Sequence, residues 1–340
     1  MPNRVDNLEI TYIGRKIVDD DNIDEPFKTK PRRVNIVLDC DSNMKHVILS
    51  SLGLSLFMRV PWNEGRFHLL KTMNGDRLWL HYLLRLGLKI TVDGFRVFSI
   101  SDPQTPPSND FRRPLGVGLE APDGTYVRTL LVDVDDRKKE PDLAMPIDNI
   151  INEKYIDKNL SVISFSVPDF MAAVDVKAFS MAVDFVKATR IVRSVLGFID
   201  GVTVKADEFG RLGFYVMSPS HGADLRVPGL WKGVLSLVLL AMASSNDIVV
   251  VDHVEDMIDL QHHRFIADTI IKSKSQWFIG IQSPKLIDYL LHEIPEDVMV
   301  YPVFRRDKIT IGQLKGEEVD QVKLVRICIP GAVIDVTVNL

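Results

Sequence analysis

The segment between residues 225 and 303 constrains the fold most, because helical and strand patterns alternate in it. An apolar helix is followed by the strand DIVVVD at 247–252, an acidic turn, a second helix and a strand that ends just before Gln282. An unbroken β-branched run is typical of a strand in a parallel sheet that is covered on both faces. The segment therefore predicts an α/β fold with helices on both sides of a sheet.

Asp252 is the first candidate for a functional side chain, because it closes the buried strand. Ligands of open α/β sheets gather beyond the carboxyl ends of the strands, and a carboxylate there can hold Mg²⁺ through water. Aspartate is also a favoured cap where a strand gives way to a helix. Position alone leaves both roles open.

The sequence around Asp252 resembles the SMC- and RecF-related branch of ABC-type ATPases. Residues 249–260 read VVVDHVEDMIDL, in which Asp252 matches the metal-side aspartate of that family and Glu255 its second acid. His253 stands where the family keeps its catalytic glutamate. A general base for water attack on a γ-phosphate needs a carboxylate aimed by the strand end, so the resemblance implies that the usual hydrolysis is impaired.

Two further motifs of the family follow the same pattern. The switch segment keeps Ser283 and Pro284, whereas Gln282 replaces the switch histidine. The signature-like segment LRVPGLWK keeps Gly229 and Lys232 but lacks the expected Ser-Gly pair. A signature loop offers backbone N–H groups and a hydroxyl to a phosphate, and this segment provides an incomplete set.

The resemblance implies a phosphate loop near the N-terminus, and residues 34–49 have the right position after a strand and before a helix. Lys45 stands at the phosphate-binding lysine, and His46 replaces the hydroxyl that would hold Mg²⁺. Asp39, Ser42 and Met44 occupy glycine positions, where positive φ and close backbone approach are needed. The vestigial loop would bind nucleotide through Ser42, Asn43, Lys45 and His46.

Local patterns elsewhere predict several elements. Residues 8–13 read as a first strand, and residues 89–100 alternate around a turn like a hairpin. Helical spacing covers 174–196. The apolar run at 233–243 is too short to span a membrane and predicts a buried helix.

The resemblance covers most of the chain and implies one ABC-ATPase-like domain over residues 1–340, with a mixed central sheet. We expect an N-terminal lobe at 1–135 with a β-rich sublobe, a helical sublobe with strands at 136–217 and a C-terminal lobe at 218–340. No heptad array is present, so no coiled coil is expected.

Composition bears on the size of the core, on nucleic-acid binding and on the cellular location. The 340 residues are 46% hydrophobic, enough for a sizeable core. A net charge of −5 does not support nucleic-acid binding through bulk charge. Cys40 and Cys328 form no disulfide framework or metal motif, and no signal peptide or membrane span is predicted, so a cytoplasmic protein is expected.

Three functions remain open at this point. The first is a pseudo-ATPase of the ABC/SMC-like superfamily that acts as a binding or scaffolding module, as a homodimer or with a protein partner, in a DNA-maintenance or defence complex. The second is a weak or partner-dependent ATPase that binds ATP and Mg²⁺ through Lys45 and Asp252, with Glu255 or His253 as the base. The third is a DNA-associated protein that needs no nucleotide.

Overall fold

The fold is described from a computed structural model of the chain. The structure describes residues 4–12, 26–39, 44–72, 88–100, 115–135, 140–143, 149–150, 152–167, 176–217, 222–224, 231–255, 258, 260–305 and 309–319.

The described helices are α1 (Met44–Phe57), α2 (Glu64–Thr72), α3 (Val176–Ala182), α4 (Phe185–Val195), α5 (Trp231–Ala243), α6 (His263–Lys272) and α7 (Pro284–Glu293). Within this part of the chain no helix exceeds the 14 residues of α1, which agrees with the expected lack of a coiled coil. No helix among the described residues is long and apolar enough to cross a membrane.

The strands form three sheets. The N-terminal half of the chain contributes β1 (Leu8–Tyr12), β2 (Phe27–Thr29), β3 (Val34–Asp39), β4 (Leu88–Val92), β5 (Phe95–Ile100), β6 (Leu115–Glu120), β7 (Tyr126–Asp135), β8 (Glu140–Leu143) and β9 (Asn149–Ile150). The remaining strands are β10 (Val162–Ser166), β11 (Gly201–Ala206), β12 (Leu212–Met217), β13 (Gly222–Asp224), β14 (Ile248–Asp252), β15 (Gln276–Gly280), β16 (Val298–Arg305), β17 (Ile309–Ile311) and β18 (Leu314–Lys315).

The central sheet positions the candidate site. Its order is β10-β14-β15-β3-β16-β17, with β18 also paired to β16. The strands from β10 to β16 run parallel, while β17 and β18 are antiparallel to β16. The parallel strands all direct their carboxyl ends to one edge of the sheet. The prediction of a mixed central sheet is confirmed.

Both faces of this sheet are buried, as the β-branched run predicts. On β14, Val249 and Val251 belong to one hydrophobic core, whereas Ile248 and Val250 belong to the other. Successive side chains of a strand point to opposite faces, so the strand contributes to both cores. This explains why its sequence shows no polar alternation.

The second sheet is antiparallel throughout, in the order β2-β1-β4-β5-β6-β7-β8 with β9 beside β7. It is the predicted β-rich N-terminal part. Helix α1 packs against β4 of this sheet and against β3, β10, β14 and β15 of the central sheet. Residues around the whole helix, from Val47 to Phe57, are buried, because it has a sheet on both sides.

The third sheet, β11-β12-β13, is antiparallel and adjoins a helical region, with α4 against β11 and α3 against β12. The helical pattern over 174–196 is broken in the structure into α3 and α4. Asp184 causes this break, because its side chain accepts hydrogen bonds from the N–H groups of Val186 and Lys187 and starts a new helix. The lobe boundaries at 135 and 217 stay a prediction.

Candidate functional site

The site lies at the edge where the parallel strands end. Helix α1 follows β3, and its first turn carries Lys45 and His46. Asp252 is the last residue of β14, which lies two strands away because β15 separates β14 from β3. Neighbouring strands are about 4.8 Å apart, so the Asp252 side chain must extend over β15 to reach α1.

Asp252 is completely buried and both of its oxygens are engaged. Lys45 Nζ lies 3.2 Å from Oδ1, and His46 Nδ1 lies 2.9 Å from Oδ2. The backbone N–H of His253 donates to Oδ1 at 2.9 Å. Lys45 is also buried, with 3% of its side chain exposed. Asp252 is therefore the centre of a buried polar cluster rather than a helix cap.

The charge state of Asp252 follows from these contacts. Burial alone would raise the pKa of the carboxyl, because a charge is poorly solvated in the interior. The hydrogen bond from His46 and the positive charge of Lys45 outweigh burial and lower the pKa of Asp252 to about 2. The carboxylate is ionised at neutral pH.

Gly280 makes this arrangement possible. It is the last residue of β15 and lies between Lys45 and the strand that carries Asp252. A Cβ atom on Gly280 would lie 2.0 Å from Asp252 Oδ1 and 2.9 Å from Leu49 Cδ1. The absent side chain provides the space that the carboxylate occupies. The signal in the sequence is a glycine within a buried strand, which often marks a close approach.

His253 borders the cluster in a strained conformation. Its φ is +54°, in the left-handed region that non-glycine residues rarely adopt. Its Nε2 lies 3.7 Å from Asp252 Oδ2, and its ring centroid lies 6.4 Å from that of His46. The three side chains His46, Asp252 and His253 each offer a ligand atom, and these atoms lie within 4.8 Å of one another.

The side chain of Glu255 contacts the loop between β15 and α7. Its Oε1 accepts hydrogen bonds from the N–H groups of Gln282 and Ser283, the latter at 3.2 Å. These N–H groups belong to the loop between β15 and α7, so Glu255 ties the two strand ends together. Gln282 takes part through its backbone and is exposed.

A buried histidine that the sequence analysis did not connect to the site supports this loop. His263 Nε2 lies 3.1 Å from the Ile258 carbonyl oxygen, so this nitrogen carries the proton. Its Nδ1 therefore accepts from the Ser283 hydroxyl at 3.0 Å. Ser283 Oγ in turn caps α7 by accepting from Leu286 N–H. Burial lowers the pKa of His263.

Among the described residues, Lys45, His46 and Asp252 do not form a site that fits Mg-ATP. Mg²⁺ takes oxygen ligands, whereas His46 offers an imidazole nitrogen beside Asp252. Both oxygens of Asp252 are bound within the chain, and Lys45 lies on that carboxylate. No step of ATP hydrolysis follows from this geometry.

Several predicted site residues lie outside the described part of the structure. Among the phosphate-loop residues, Lys45 and His46 are brought together with Asp252, while Ser42 and Asn43 are outside the described residues. The signature-like Gly229 is also outside them. Lys232 lies in α5, but its side chain is not described.

Comparisons with known proteins found no matching family model and no matching curated protein. Solved structures with a similar fold include SMC head domains, the class that the sequence resembles. An Smc head bound to the C-winged helix domain of ScpA is 13% identical, with a TM-score of 0.48 over 93% of this chain and 99% of that chain.

Two other SMC heads give similar values. An Smc head with an extended coiled coil, bound to the C-terminal domain of ScpA derived from Pyrococcus furiosus, is 11% identical with a TM-score of 0.46 over 94% of this chain and 98% of that chain. The SMC head domain from Thermotoga maritima is 9% identical with a TM-score of 0.39 over 92% of this chain and 100% of that chain. At such distance these likenesses do not tell what the chain binds.

Proposed function

We propose that this protein is a pseudo-ATPase of the ABC/SMC-like superfamily that acts as a binding or scaffolding module in the cytoplasm. One observation carries the proposal. Lys45 and Asp252, the two residues that would meet a bound Mg-nucleotide, contact each other in a buried cluster at 3.2 Å, and His46 takes the second carboxylate oxygen. ATP would have to separate this cluster before it could bind.

The candidates for a catalytic base support the same proposal. His253 offers an imidazole near Asp252 in place of the carboxylate that water activation requires, and its backbone is strained. Glu255 already accepts two backbone hydrogen bonds from the β15–α7 loop. A general base must lie within hydrogen-bonding reach of the attacking water, and a carboxylate held by two N–H groups is a weak base.

We expect a scaffolding module of this kind to bind another protein. Two of the similar SMC heads were solved with domains of ScpA bound. We propose by analogy that this chain binds a partner protein or a second copy of itself, in a complex for DNA maintenance or defence.

The alternative is a weak or partner-dependent Mg-ATPase. It is favoured by the position of Lys45 and Asp252 at the carboxyl edge of the parallel strands, where ligands of α/β sheets gather. In that case a partner would open the cluster and complete the site.

A steady-state ATP hydrolysis assay tests the proposal. The purified protein is compared with Asp252→Ala, and with Asp200→Ala as a control at a carboxylate outside the cluster. The proposal predicts no Mg-dependent turnover above background in any of the three. Turnover at an ordinary rate of about 1 s⁻¹ or more that is lost in Asp252→Ala alone would overturn it and support the alternative.

A further inference from the structure

His46, Asp252 and His253 together form a set of ligands suited to a transition metal. The set contains two imidazoles and one carboxylate, with the ligand atoms within 4.8 Å of one another. Imidazole suits zinc and its neighbours among the divalent metals, whereas Mg²⁺ prefers oxygen. We infer that this cluster binds a divalent transition metal such as Zn²⁺.

The distances between the ligand atoms fit a tetrahedral zinc ion. Zinc bonds of about 2.0–2.1 Å place two tetrahedral ligand atoms about 3.3 Å apart. Asp252 Oδ2 lies 2.9 Å from His46 Nδ1 and 3.7 Å from His253 Nε2, on either side of that value. The two imidazole nitrogens lie within 4.8 Å of each other, so the two rings must approach the carboxylate oxygen as a metal binds. His46 would exchange its Nδ1 proton for the metal.

Lys45 completes the surroundings of the ion. Its ammonium contacts Asp252 Oδ1, so Oδ2 of the same carboxylate can face the metal. Groups that hydrogen-bond to a metal ligand orient it and adjust its affinity. The three protein ligands leave the fourth tetrahedral position to a water molecule or to a side chain of a partner.

One feature independent of the cluster's composition points to a ligand. His253 has a φ of +54°, which costs free energy in a non-glycine residue. Strained backbone conformations cluster at active sites and ligand-binding sites. The imidazole of His253 lies beside Asp252, with Nε2 at 3.7 Å from Oδ2.

The metal-site proposal rests on the proposed function in one respect, because both require that Asp252 does not bind Mg-ATP. The two proposals fail separately. Tight binding of Mg-ATP would overturn the proposed function whatever the result with zinc. If the protein binds neither zinc nor ATP, only the metal-site proposal is overturned.

The experiment is a zinc titration of the full chain, freed of tags and stripped of metal, in competition with a chromophoric chelator. Parallel titrations use Mg²⁺ and Co²⁺. The main variant is His253→Gly, which keeps a backbone that accepts positive φ and should fold at least as well as the wild type without metal. His46→Ala is the second variant. His292→Ala, an exposed histidine on α7, is the control.

The expected result is one Zn²⁺ per chain, no competition by Mg²⁺, and visible Co²⁺ absorption typical of four ligands. Zinc binding should weaken by roughly 100-fold or more in His253→Gly, because even groups that only support a metal ligand are worth about 10–100-fold in affinity. The control should bind as the wild type does. Equal zinc affinity of His253→Gly and the wild type, or no zinc binding at all, would overturn the proposal.

Discussion

At the scale of single residues, the absence of one side chain decides whether the cluster forms. Asp252 reaches α1 only because Gly280 leaves space above β15. The buried charge of Asp252 is in turn stabilised by Lys45 and His46. A buried carboxylate without such partners would be strongly destabilising. Lys45, His46 and Asp252 therefore depend on one another for the stability of the buried cluster.

Gly280→Ala should therefore destabilise the protein. The new Cβ would lie 2.0 Å from Asp252 Oδ1, and either the carboxylate or the strand must move. We expect a loss of about 3 kcal/mol in the free energy of unfolding, at the upper end for overpacking, because a charged group is displaced. Urea denaturation measures it.

The matched control is Gly197→Ala. A Cβ at Gly197 would meet no atom within 4 Å. We expect a change within about 0.5 kcal/mol, as at other open surface positions. Equal effects of the two substitutions would show that the close approach over β15 does not matter.

At the scale of secondary-structure elements, a hydrogen-bonded network holds the β15–α7 loop. Glu255 binds the loop from the turn after β14, and Ser283 connects the cap of α7 to His263 on α6. Three elements therefore meet at one point beside the carboxyl edge of the sheet. The network fixes the position of Gln282 by its backbone rather than by its side chain.

This network predicts a pH dependence of stability. The pKa of His263 lies below the ordinary value of 6.5, so the unfolded chain takes up a proton at a higher pH than the folded chain does. Stability from the neutral His263 is present above pH 6.5 and is lost as the pH falls below it. Lys285 on α7 adds to the lowering.

His263→Gln should remove part of this dependence, because Gln can still donate to Ile258 but does not titrate. The measurement is the free energy of unfolding in urea from pH 7.5 down to about pH 5. His292→Gln, at an exposed histidine, is the control and should keep the wild-type profile. Parallel profiles for wild type and His263→Gln would rule out this role of His263.

Local elements were predictable from sequence, whereas their meeting points were not. The hairpin of β4 and β5, the buried helix α5 and the strand β14 each follow from patterns within one segment. The contact of Asp252 with Lys45 depends on strand order, which places residues 207 positions apart at the same edge. The roles of Gly280 and His263 appear only once that order is known. The sequence resemblance named Lys45 and Asp252 as candidate site residues but could not show that they contact each other.

At the scale of the whole molecule, α1 lies between two sheets. The helix has hydrophobic residues on every side and packs against both sheets, which fixes the place of its first turn, with Lys45 and His46, at the carboxyl edge of the central sheet. Two buried cores flank the central sheet and hold β3, β14 and β15 in register. The relative positions of Lys45 and Asp252 therefore follow from the packing of the whole molecule.

If the cluster of Lys45, His46 and Asp252 takes the place of a nucleotide site, the protein should not bind Mg-ATP. Calorimetric titration of the pure protein with Mg-ATP, repeated with Lys45→Ala, tests it most directly. We expect no binding heat for either protein at ATP concentrations of about 1 mM, which corresponds to less than about 4 kcal/mol of binding free energy. Micromolar binding by the wild type that is lost in Lys45→Ala would contradict it.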